Sequence, residues 1–244
     1  MIFGNENFMI RIISRSPKLA RLLEEISELD FRNEASKLSM LVNHMHENAE
    51  STNISLNRVI ICTMNYYGRS MEATNGILML LDRGLLSSAF CLNRMVFELW
   101  AAAYFVEKSV RDFRTHRDEE KLGKIANRLF TGARFPVNLP WGGESTEKPI
   151  HINDMLAELE GIYPEATNTY SFLCEFTHPN FLYSNYTLTA SILPSQWDNP
   201  LFEKFIIDIL EKQISLLQRS LSGLKICINT ISDTCLEEYG IDFS

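Results

Sequence analysis

Nine apolar residues near the C-terminal end of this 244-residue sequence constrain its fold more than any other feature. They alternate three and four positions apart, which is the spacing of a heptad seam, and they are Ile207, Leu210, Ile214, Leu217, Leu221, Leu224, Ile228, Ile231 and Cys235. A helix from Asn199 to Leu236 would be about 57 Å long at 1.5 Å per residue. Because such a seam is stable only when other helices cover it, the sequence predicts an all-α fold, built as a single helical bundle.

The rest of the chain has the same helical periodicity, interrupted by glycine and proline. Gly84 separates two long apolar stretches, which we expect to form an antiparallel hairpin. Residues 186–193 alternate apolar and hydroxyl side chains, and we expect an extended crossover there. No linker or internal repeat divides the chain, which predicts one domain over residues 1–244. Its predicted parts are N-terminal helices over 16–50, central helices over 55–131, a loop over 132–150, short helices over 151–178 and the long C-terminal helix over 198–236.

Composition and charge narrow the class of protein. Hydrophobic residues make up 45% of the chain, enough to bury a core, which excludes disordered and low-complexity classes. Asp and Glu number 31 against 23 Lys and Arg, and the net charge of −8 argues against tight, non-selective binding to nucleic acid. The five cysteines form no C-x-x-C pair, and no segment has the pattern of a signal peptide or an uncharged membrane span. We predict a cytoplasmic protein with free thiols and no interaction with membranes.

One apolar helical stretch carries two charges, Arg94 and Glu98, four residues apart. A charge within an apolar helix is costly unless it is paired, so each of these residues needs a partner. Two interpretations remain open. Either the charges belong to a structural network that fixes helix register, or they line a pocket in which Arg94 binds an anion and His178 is an acid or base. The other candidates for this polar cluster are Arg69, Glu72, Tyr170 and Glu175.

Two of these segments carry a resemblance. RMVFE at residues 94–98, followed by YSFLCEFTHPN at 170–180, resembles an uncharacterised bacterial all-helical family with an R-x-x-x-E helix and a downstream Tyr/His segment. That family is distantly similar to the HEPN proteins. The resemblance implies a helical fold and a context of bacterial defence or stress, and it implies no established reaction.

The segment VRDFRTH contains Arg111 and His116, which match the R-x4-6-H element of HEPN ribonucleases. By this resemblance two such motifs would face each other across a dimer groove, with His116 as general acid–base and Arg111 stabilising charge on the phosphate. An imidazole suits proton transfer because it titrates near neutral pH. The alternative interpretation is a solvated helix face, on which acidic residues cancel much of the positive field of Arg114, Arg117, Lys121, Lys124 and Arg128.

Patterns for metal and cofactor binding are weak. Glu175 and His178 form a Glu-x-x-His pair, as in carboxylate di-iron bundles, but such sites need a second copy of the pair and two further glutamates. The sequence has no second copy, and it lacks the phosphate loop, the dinucleotide fingerprint and the nucleophile elbow. We therefore predict no bound metal and no cofactor.

The last helix is apolar beyond its seam, at Phe202, Phe205, Ile206, Ile209, Leu216 and Cys227. A helix that is apolar over so much of its circumference must be covered on two sides. The bundle covers one side, and a symmetry-related copy is an economical cover for the other. We therefore predict a homodimer through the C-terminal helix.

Three functions remain open. The leading one is a non-catalytic, oligomeric interaction protein of a bacterial defence or stress system, which implies a protein partner. The first alternative is a HEPN-type, metal-independent endoribonuclease, a toxin or phage-defence effector that acts on RNA through Arg111 and His116. The second alternative is a helical bundle that binds a small molecule or a metal.

Overall fold

The computed structural model describes residues 8–48, 52–133, 135–136, 138–139, 142–145, 147–177 and 200–243. Their regular secondary structure is α-helical throughout, with an isolated bridge between Asn138 and Glu144 and no strand in these ranges. The predicted all-α class is confirmed. The predicted crossover at 186–193 lies outside the described residues. The described helices are α1 (Phe8–Ile13), α2 (Pro17–Ser27), α3 (Arg32–Glu47), α4 (Ile54–Asp82), α5 (Leu86–His116), α6 (Glu119–Thr131), α7 (Ile152–Leu159), α8 (Ala166–Cys174) and α9 (Pro200–Glu238).

The chain divides into two compact units, each assembled from three separate stretches. Unit one comprises residues 1–30, 69–99 and 165–223, and unit two comprises 31–68, 100–164 and 224–244. The long helices α4, α5 and α9 each contribute residues to both units. The boundaries between the two units therefore fall inside helices and not in linkers. Because the sequence has no linker at these positions, it predicted a single domain over 1–244.

The core of unit one is formed by apolar faces of α2, α4, α5 and α9. Leu19 and Leu22 of α2 belong to the same buried cluster as Leu210 and Leu217 of α9. The aromatic part of this core includes Phe90 and Phe176, whose ring centroids lie 5.1 Å apart in an edge-to-face arrangement.

Within unit one, α4 and α5 form the predicted antiparallel hairpin. Gly84 has φ +70°, and the N–H of Leu85 donates to the carbonyl of Leu80 at 2.8 Å, which closes α4 with a left-handed glycine cap. A β-carbon at Gly76 would lie 2.8 Å from the Leu92 side chain. Gly76 and Leu92 are equally far from Gly84 along the chain, so their close contact confirms that the two helices run antiparallel.

Unit two has its own apolar core, formed mainly by α3, α4, α5, α6 and α9. Leu41, Ile60, Phe113, Leu122 and Ile231 are among its buried residues. Its residues from the fifth helix lie in the half of α5 that follows Trp100, and those from α9 lie after Leu224.

The residues that follow α9 fold back onto unit two. The Tyr239 hydroxyl donates to Asn57 Oδ1 at 2.7 Å, and its ring stacks on His44 with 5.0 Å between centroids. Lys37 is buried, and its Nζ lies 2.7 Å from Asn229 Oδ1 and 5.4 Å from the ring centroid of Phe243. These contacts attach the segment 239–243 to α3 and α4.

The heptad seam of α9 is confirmed, because its residues from Leu210 to Cys235 are almost completely buried, and only Ile207 is half-buried. A second buried stripe lies beside the seam with a strict seven-residue period: Ile206, Gln213, Ser220, Cys227 and Thr234. The chain itself therefore covers Ile206, Ile209 and Cys227, which the dimer prediction had assigned to a second copy. The dimer itself stays a prediction.

By length and composition, α5 is the one described helix that could span a membrane, although 67% of its most apolar 18-residue window is buried within the protein. That degree of burial is what the central helix of a protein core shows. The C-terminal end of α5 follows His116 directly. Arg117 has φ +56° and ends α5, and the Asp118 side chain accepts from the Lys121 N–H at 2.9 Å, which caps α6.

Candidate functional site

The polar cluster around Arg94 lies in unit one, between α5 and α8. Arg94 Nε donates to Glu98 Oε1 at 2.9 Å, one helical turn away. Its Nη1 donates to Thr177 Oγ1 at 3.0 Å and its Nη2 to the Tyr170 hydroxyl at 2.7 Å. The guanidinium also lies 5.0 Å from the centroid of the Tyr170 ring. The structure thus brings together three of the residues that the sequence predicted for this cluster, Arg94, Glu98 and Tyr170.

The cluster is half-buried. The side chains of Arg94 and Glu98 are 27% and 34% exposed. Burial disfavours the charge on Arg94, but Glu98, Cys174 and Tyr170 together outweigh that effect and raise the pKa of its guanidinium above the ordinary value. Burial, followed by the negative charge of Glu98, raises the pKa of the Tyr170 hydroxyl. Arg94 is therefore a fixed cation and Tyr170 a neutral phenol, and this pairing suits a positioning network.

Two thiols adjoin Arg94, and the sequence analysis did not assign them to the cluster. Cys91 lies one turn before Arg94 on α5, and its Sγ is 4.0 Å from the carbonyl oxygen of Phe176. Cys174 lies one turn after Tyr170 on α8, and its own carbonyl accepts from Thr177 Oγ1 at 2.9 Å. Burial raises the pKa of both thiols, and the charge of Arg94 acts in the opposite direction on both.

Arg69, Glu72 and Glu175, the other predicted members that the structure describes, are not hydrogen-bond partners of Arg94. Arg69 is exposed, with its Nη2 3.5 Å from Met95 Sδ, and Glu72 is exposed as well. Glu175 is half-buried just beyond the end of α8, and His178 lies outside the described residues. The prediction that Arg69 and Glu72 belong to a buried cluster is wrong, because both side chains are exposed.

Thr177 and a buried amide pair, Asn93 with Gln213, were not predicted from the sequence. Asn93 Nδ2 donates to the Gln213 carbonyl oxygen at 2.8 Å and to Gln213 Oε1 at 2.6 Å, and both side chains are buried. The signal for the amide pair was present, because Gln213 directly precedes the seam residue Ile214 and Asn93 lies in the most apolar helix. Thr177 carried no such signal, because its role depends on the turn that follows α8.

The second predicted site, Arg111 and His116, lies in unit two near the end of α5. Arg111 Nε pairs with Glu107 Oε1 at 2.7 Å, and Glu107 is buried. Burial raises the pKa of the Glu107 carboxyl, while Arg111 lowers it. His116 is 67% exposed, and its Nδ1 lies 3.0 Å from Asp112 Oδ1. The two motif residues therefore each have a separate carboxylate partner.

The basic residues around this motif are also bound to acceptors of the same unit. Arg114 pairs with Glu237 at 2.7 Å, and Arg117 pairs with Glu238. Lys121 pairs with Asp112, and this hydrogen bond lowers the pKa of the Asp112 carboxyl. Lys124 pairs with Glu120, and Arg128 donates to the carbonyls of Lys148 and Pro149. This pattern is that of a charged surface in which the positive charges are locally neutralised.

Two further features bear on the ligand-binding alternative. Within the described ranges, no three His, Cys, Asp or Glu side chains lie close enough together to hold a metal ion, and His178 is not among the residues searched. A surface cavity of about 380 Å³ in unit one contains none of the predicted site residues, and its lining is Lys18, Asp208, Glu211, Lys212, Ser215, Leu216 and Arg219. The Arg94 cluster is therefore not part of that cavity's wall.

Comparison with known proteins adds no family to this description. No family model, curated protein or solved structure matches the chain. The resemblance to HEPN-like proteins consequently rests on short segments alone, residues 94–98, 170–180 and 110–116.

Proposed function

We propose that this protein is a non-catalytic helical interaction protein, and that the outer face of α4 in unit one binds its partner. The observation that carries the proposal is a pair of adjacent apolar side chains on that face. Leu78 is 37% and Met79 is 59% exposed, although Ile77 and Leu81 of the same helix are buried in a complete core. Single exposed apolar residues are common on protein surfaces, whereas neighbouring ones that form a continuous patch are typical of interaction sites.

The α4 face extends beyond this pair. Met71, Asn75, Leu78, Met79 and Asp82 recur at the three- and four-residue spacing that places them on one side of a helix. Met71 is half-buried and the others are exposed. Methionine is flexible and polarisable, so it adapts to varied partner surfaces. An apolar stripe with a polar residue at its centre and an acid at its end fits an amphipathic helix of a partner protein.

The charged groups support a role in interaction over a role in catalysis. Arg94 is held by three side chains, and Arg111 is held on the buried Glu107, away from the acceptor of His116. The contacts of Arg94 join α5 to α8, the Arg111 pair lies within α5, and in both cases the guanidinium already has a partner. The proposed context in bacterial defence or stress comes from the resemblance of residues 94–98 and 170–180.

The test is a comparison of copurifying proteins. The double variant Leu78→Glu, Met79→Glu places charges on the α4 face, and Asn168→Glu places one on an exposed position of α8 in the same unit. Affinity purification from the source organism, quantified by mass spectrometry, should recover a near-stoichiometric partner with the wild type and with Asn168→Glu. The double variant should lose it. An unchanged set of copurifying proteins in the folded double variant would contradict the proposal.

A second candidate function, a metal-independent endoribonuclease, is favoured by one contact. Asp112 accepts from His116 Nδ1 if the imidazole carries its proton there, which leaves Nε2 directed away from the carboxylate. A carboxylate that orients an imidazole in this way is the arrangement of general acid–base sites. His116 is also the last residue of α5, so its side chain is accessible to a polymeric substrate.

The ribonuclease is tested with purified protein and a panel of structured and unstructured RNAs in EDTA. Wild-type protein should cleave, His116→Ala should not, and Asp112→Asn should be slowed because it changes the proton position on the imidazole. Arg21→Ala, at an exposed position in unit one, is the matched control and should cleave normally. Cleavage that is equal in wild type and His116→Ala, or absent throughout, would remove this candidate.

A further inference from the structure

The surface cavity of unit one has a wall that carries charges of both signs. Lys18 comes from α2, and the other lining residues belong to α9. Lysine and arginine side chains contribute positive charges to the wall, and Asp208 and Glu211 contribute negative ones. The volume of about 380 Å³ lies in the range of cavities that hold small molecules. The position of each charge along α9 therefore decides which kind of ligand the cavity suits.

Two of the cations in this wall are held in place by neighbouring groups. Glu211 Oε1 accepts from the Ser16 hydroxyl at 2.6 Å, and Glu211 Oε2 pairs with Lys18 Nζ at 2.9 Å. Lys212 Nζ lies 3.5 Å from the ring centroid of Phe172, a residue of α8. A lysine ammonium has three N–H donors, so neither contact uses all of them. Both ammonium groups can therefore donate to a ligand from a fixed position, which lowers the entropic cost of binding.

Ser215 lies between two cations on the α9 side of the cavity. It follows Lys212 by three residues and precedes Arg219 by four, so the three side chains are neighbours on one face of the helix. A hydroxyl between an ammonium and a guanidinium offers hydrogen-bond donors to several oxygens of one anion. Arginine in particular matches two oxygens of a phosphate group. This part of the cavity therefore suits a phosphate group.

Asp208 lies at the other end of the cavity. It precedes Ser215 by seven residues, which is about 10 Å along the helix axis. An ionised carboxylate accepts hydrogen bonds and donates none, so Asp208 repels a second anionic group and attracts hydroxyl groups. The cavity thus offers donors at one end and an acceptor at the other. A ligand that satisfies both ends has a phosphate group and, about 10 Å away at most, a hydroxyl group.

We propose that this cavity binds a small phosphate monoester whose organic part carries hydroxyl groups, such as a sugar phosphate. Lys212, Ser215 and Arg219 hold the phosphate, and Asp208 accepts from a hydroxyl group of the organic part. Glu211 is a positioning residue, because its two oxygens already hold Ser16 and Lys18. The inference is independent of the proposed partner of the α4 face, since no residue of α4 lines the cavity.

Isothermal titration calorimetry of the full-length protein tests the site at neutral pH and moderate ionic strength. The ligands are two sugar phosphates, glucose 6-phosphate and ribose 5-phosphate, with phenyl phosphate and inorganic phosphate for comparison. At least one sugar phosphate should bind at one site per chain, about tenfold more tightly than phenyl phosphate or inorganic phosphate. The expected reason is that only the sugar phosphates carry both a phosphate group and hydroxyl groups.

Variants of the cavity wall separate the two ends. Lys212→Gln and Ser215→Ala should each weaken the binding of the sugar phosphate about tenfold, and they should also weaken the binding of inorganic phosphate. Asp208→Ala should weaken the binding of the sugar phosphate alone, because inorganic phosphate has no hydroxyl-bearing part and gains from the loss of a negative charge. Lys204→Gln is the matched control. It removes one positive charge at an exposed position of α9 outside the cavity, and it should bind like the wild type.

Circular dichroism establishes that each variant is folded, and four results would then overturn the proposal. The first is the absence of saturable binding of either sugar phosphate to the wild type. The second is an equal affinity for sugar phosphates and inorganic phosphate, which would indicate a general anion site. The third is an equal loss of binding in Lys204→Gln and Lys212→Gln, which would indicate an effect of net charge. The fourth is an equal loss of both ligands in Asp208→Ala.

Discussion

At the scale of single residues, Arg94 is an arginine whose side chain three other side chains use as a hydrogen-bond partner. Removing its side chain leaves a carboxylate, a phenol and a hydroxyl without their partner in a half-buried place. The loss of partners in such surroundings costs more than the loss of an exposed ion pair. Arg117 is the natural comparison, since it is exposed and pairs with Glu238.

We expect Arg94→Ala to lower the free energy of unfolding by about 1–3 kcal/mol, and Arg117→Ala to lower it by less than about 1 kcal/mol. Thermal denaturation of both variants, followed by circular dichroism, measures the difference. Equal melting temperatures would show that the contacts of Arg94 do not stabilise the fold.

Arg117 also has a left-handed backbone conformation, with φ +56°, which glycine adopts more easily than any residue with a β-carbon. Arg117→Gly and Arg117→Ala lose the same side-chain contact, so their difference reports the backbone alone. We expect Arg117→Gly to be more stable than Arg117→Ala by about 1 kcal/mol in urea denaturation. If the alanine variant were equally stable, the connection between α5 and α6 would not need this conformation.

At the scale of helices, two glycines make opposite predictions. A β-carbon at Gly132, which follows α6, would lie 2.2 Å from the carbonyl oxygen of Arg128 and 2.8 Å from the backbone of Pro149. Gly68 lies inside α4 with no atom within 4 Å of such a β-carbon. Gly132→Ala should destabilise the protein by about 1–3 kcal/mol, because backbone atoms must move. Gly68→Ala should stabilise it by about 1 kcal/mol through helix propensity. Urea denaturation of both variants measures the change in the free energy of unfolding. A change of the same sign in both variants would contradict the prediction.

The start of α2 predicts a dependence of stability on pH. The Ser16 hydroxyl caps α2 by accepting from the Leu19 N–H at 3.0 Å, and it donates to Glu211 Oε1 at 2.6 Å. This hydrogen bond, together with Lys18 at 2.9 Å, lowers the pKa of the Glu211 carboxyl below its ordinary value. A depressed pKa in the folded state stabilises the fold above the unfolded value of about 4.3, and this stability is lost as the pH falls through the folded value.

We therefore expect Glu211→Gln to lower the melting temperature at pH 7, by the equivalent of about 1 kcal/mol. The difference from wild type should shrink as the pH falls below about 4. Scanning calorimetry between pH 3 and pH 7 measures it, with Glu160→Gln as an exposed control. A difference between wild type and Glu211→Gln that stays constant over this range would show that the charge of Glu211 does not contribute.

At the scale of the whole molecule, the homodimer was predicted from apolar residues of α9 such as Ile206, Ile209 and Cys227, which are buried within the chain. A dimer through α9 would therefore have to use the exposed face of this helix. The exposed face of α9 holds two large apolar side chains, Leu201 and Ile226, which are 80% and 67% exposed. The rest of that face is charged: Lys204, Asp208, Lys212, Arg219 and Glu237.

Light scattering on purified protein should therefore give twice the chain mass of 28.1 kDa for the wild type and one chain mass for Ile226→Lys. The expected cause is a new charge at an apolar contact between two copies. A single chain mass for the wild type across micromolar concentrations would contradict the dimer, and it would leave the α4 face as the proposed interaction surface.

Features that repeat along a single helix could be predicted from the sequence. Features that depend on which helix packs against it could not. The seam from Leu210 to Cys235 follows from spacing alone, and so does the pairing of Arg94 with Glu98. Thr177 and Cys174 joined Arg94 only through the packing of α8 on α5, which no periodicity encodes. Arg69 and Glu72 were wrongly predicted to be buried. Polar residues occur on both the buried and the exposed sides of α4, so the local sequence does not show which of them face the core.

The contribution of α9 to the cores of both units has a consequence for the order of events during synthesis. Residues 200–238 emerge from the ribosome last among the helices described, and Leu210 and Ile231 complete two different cores. Until then the parts of the other helices that pack on α9 have no permanent cover. Contacts between such distant parts of a chain form slowly, and the exposed faces are prone to aggregate in the meantime. The nascent chain should therefore depend on chaperones until translation has passed the end of α9.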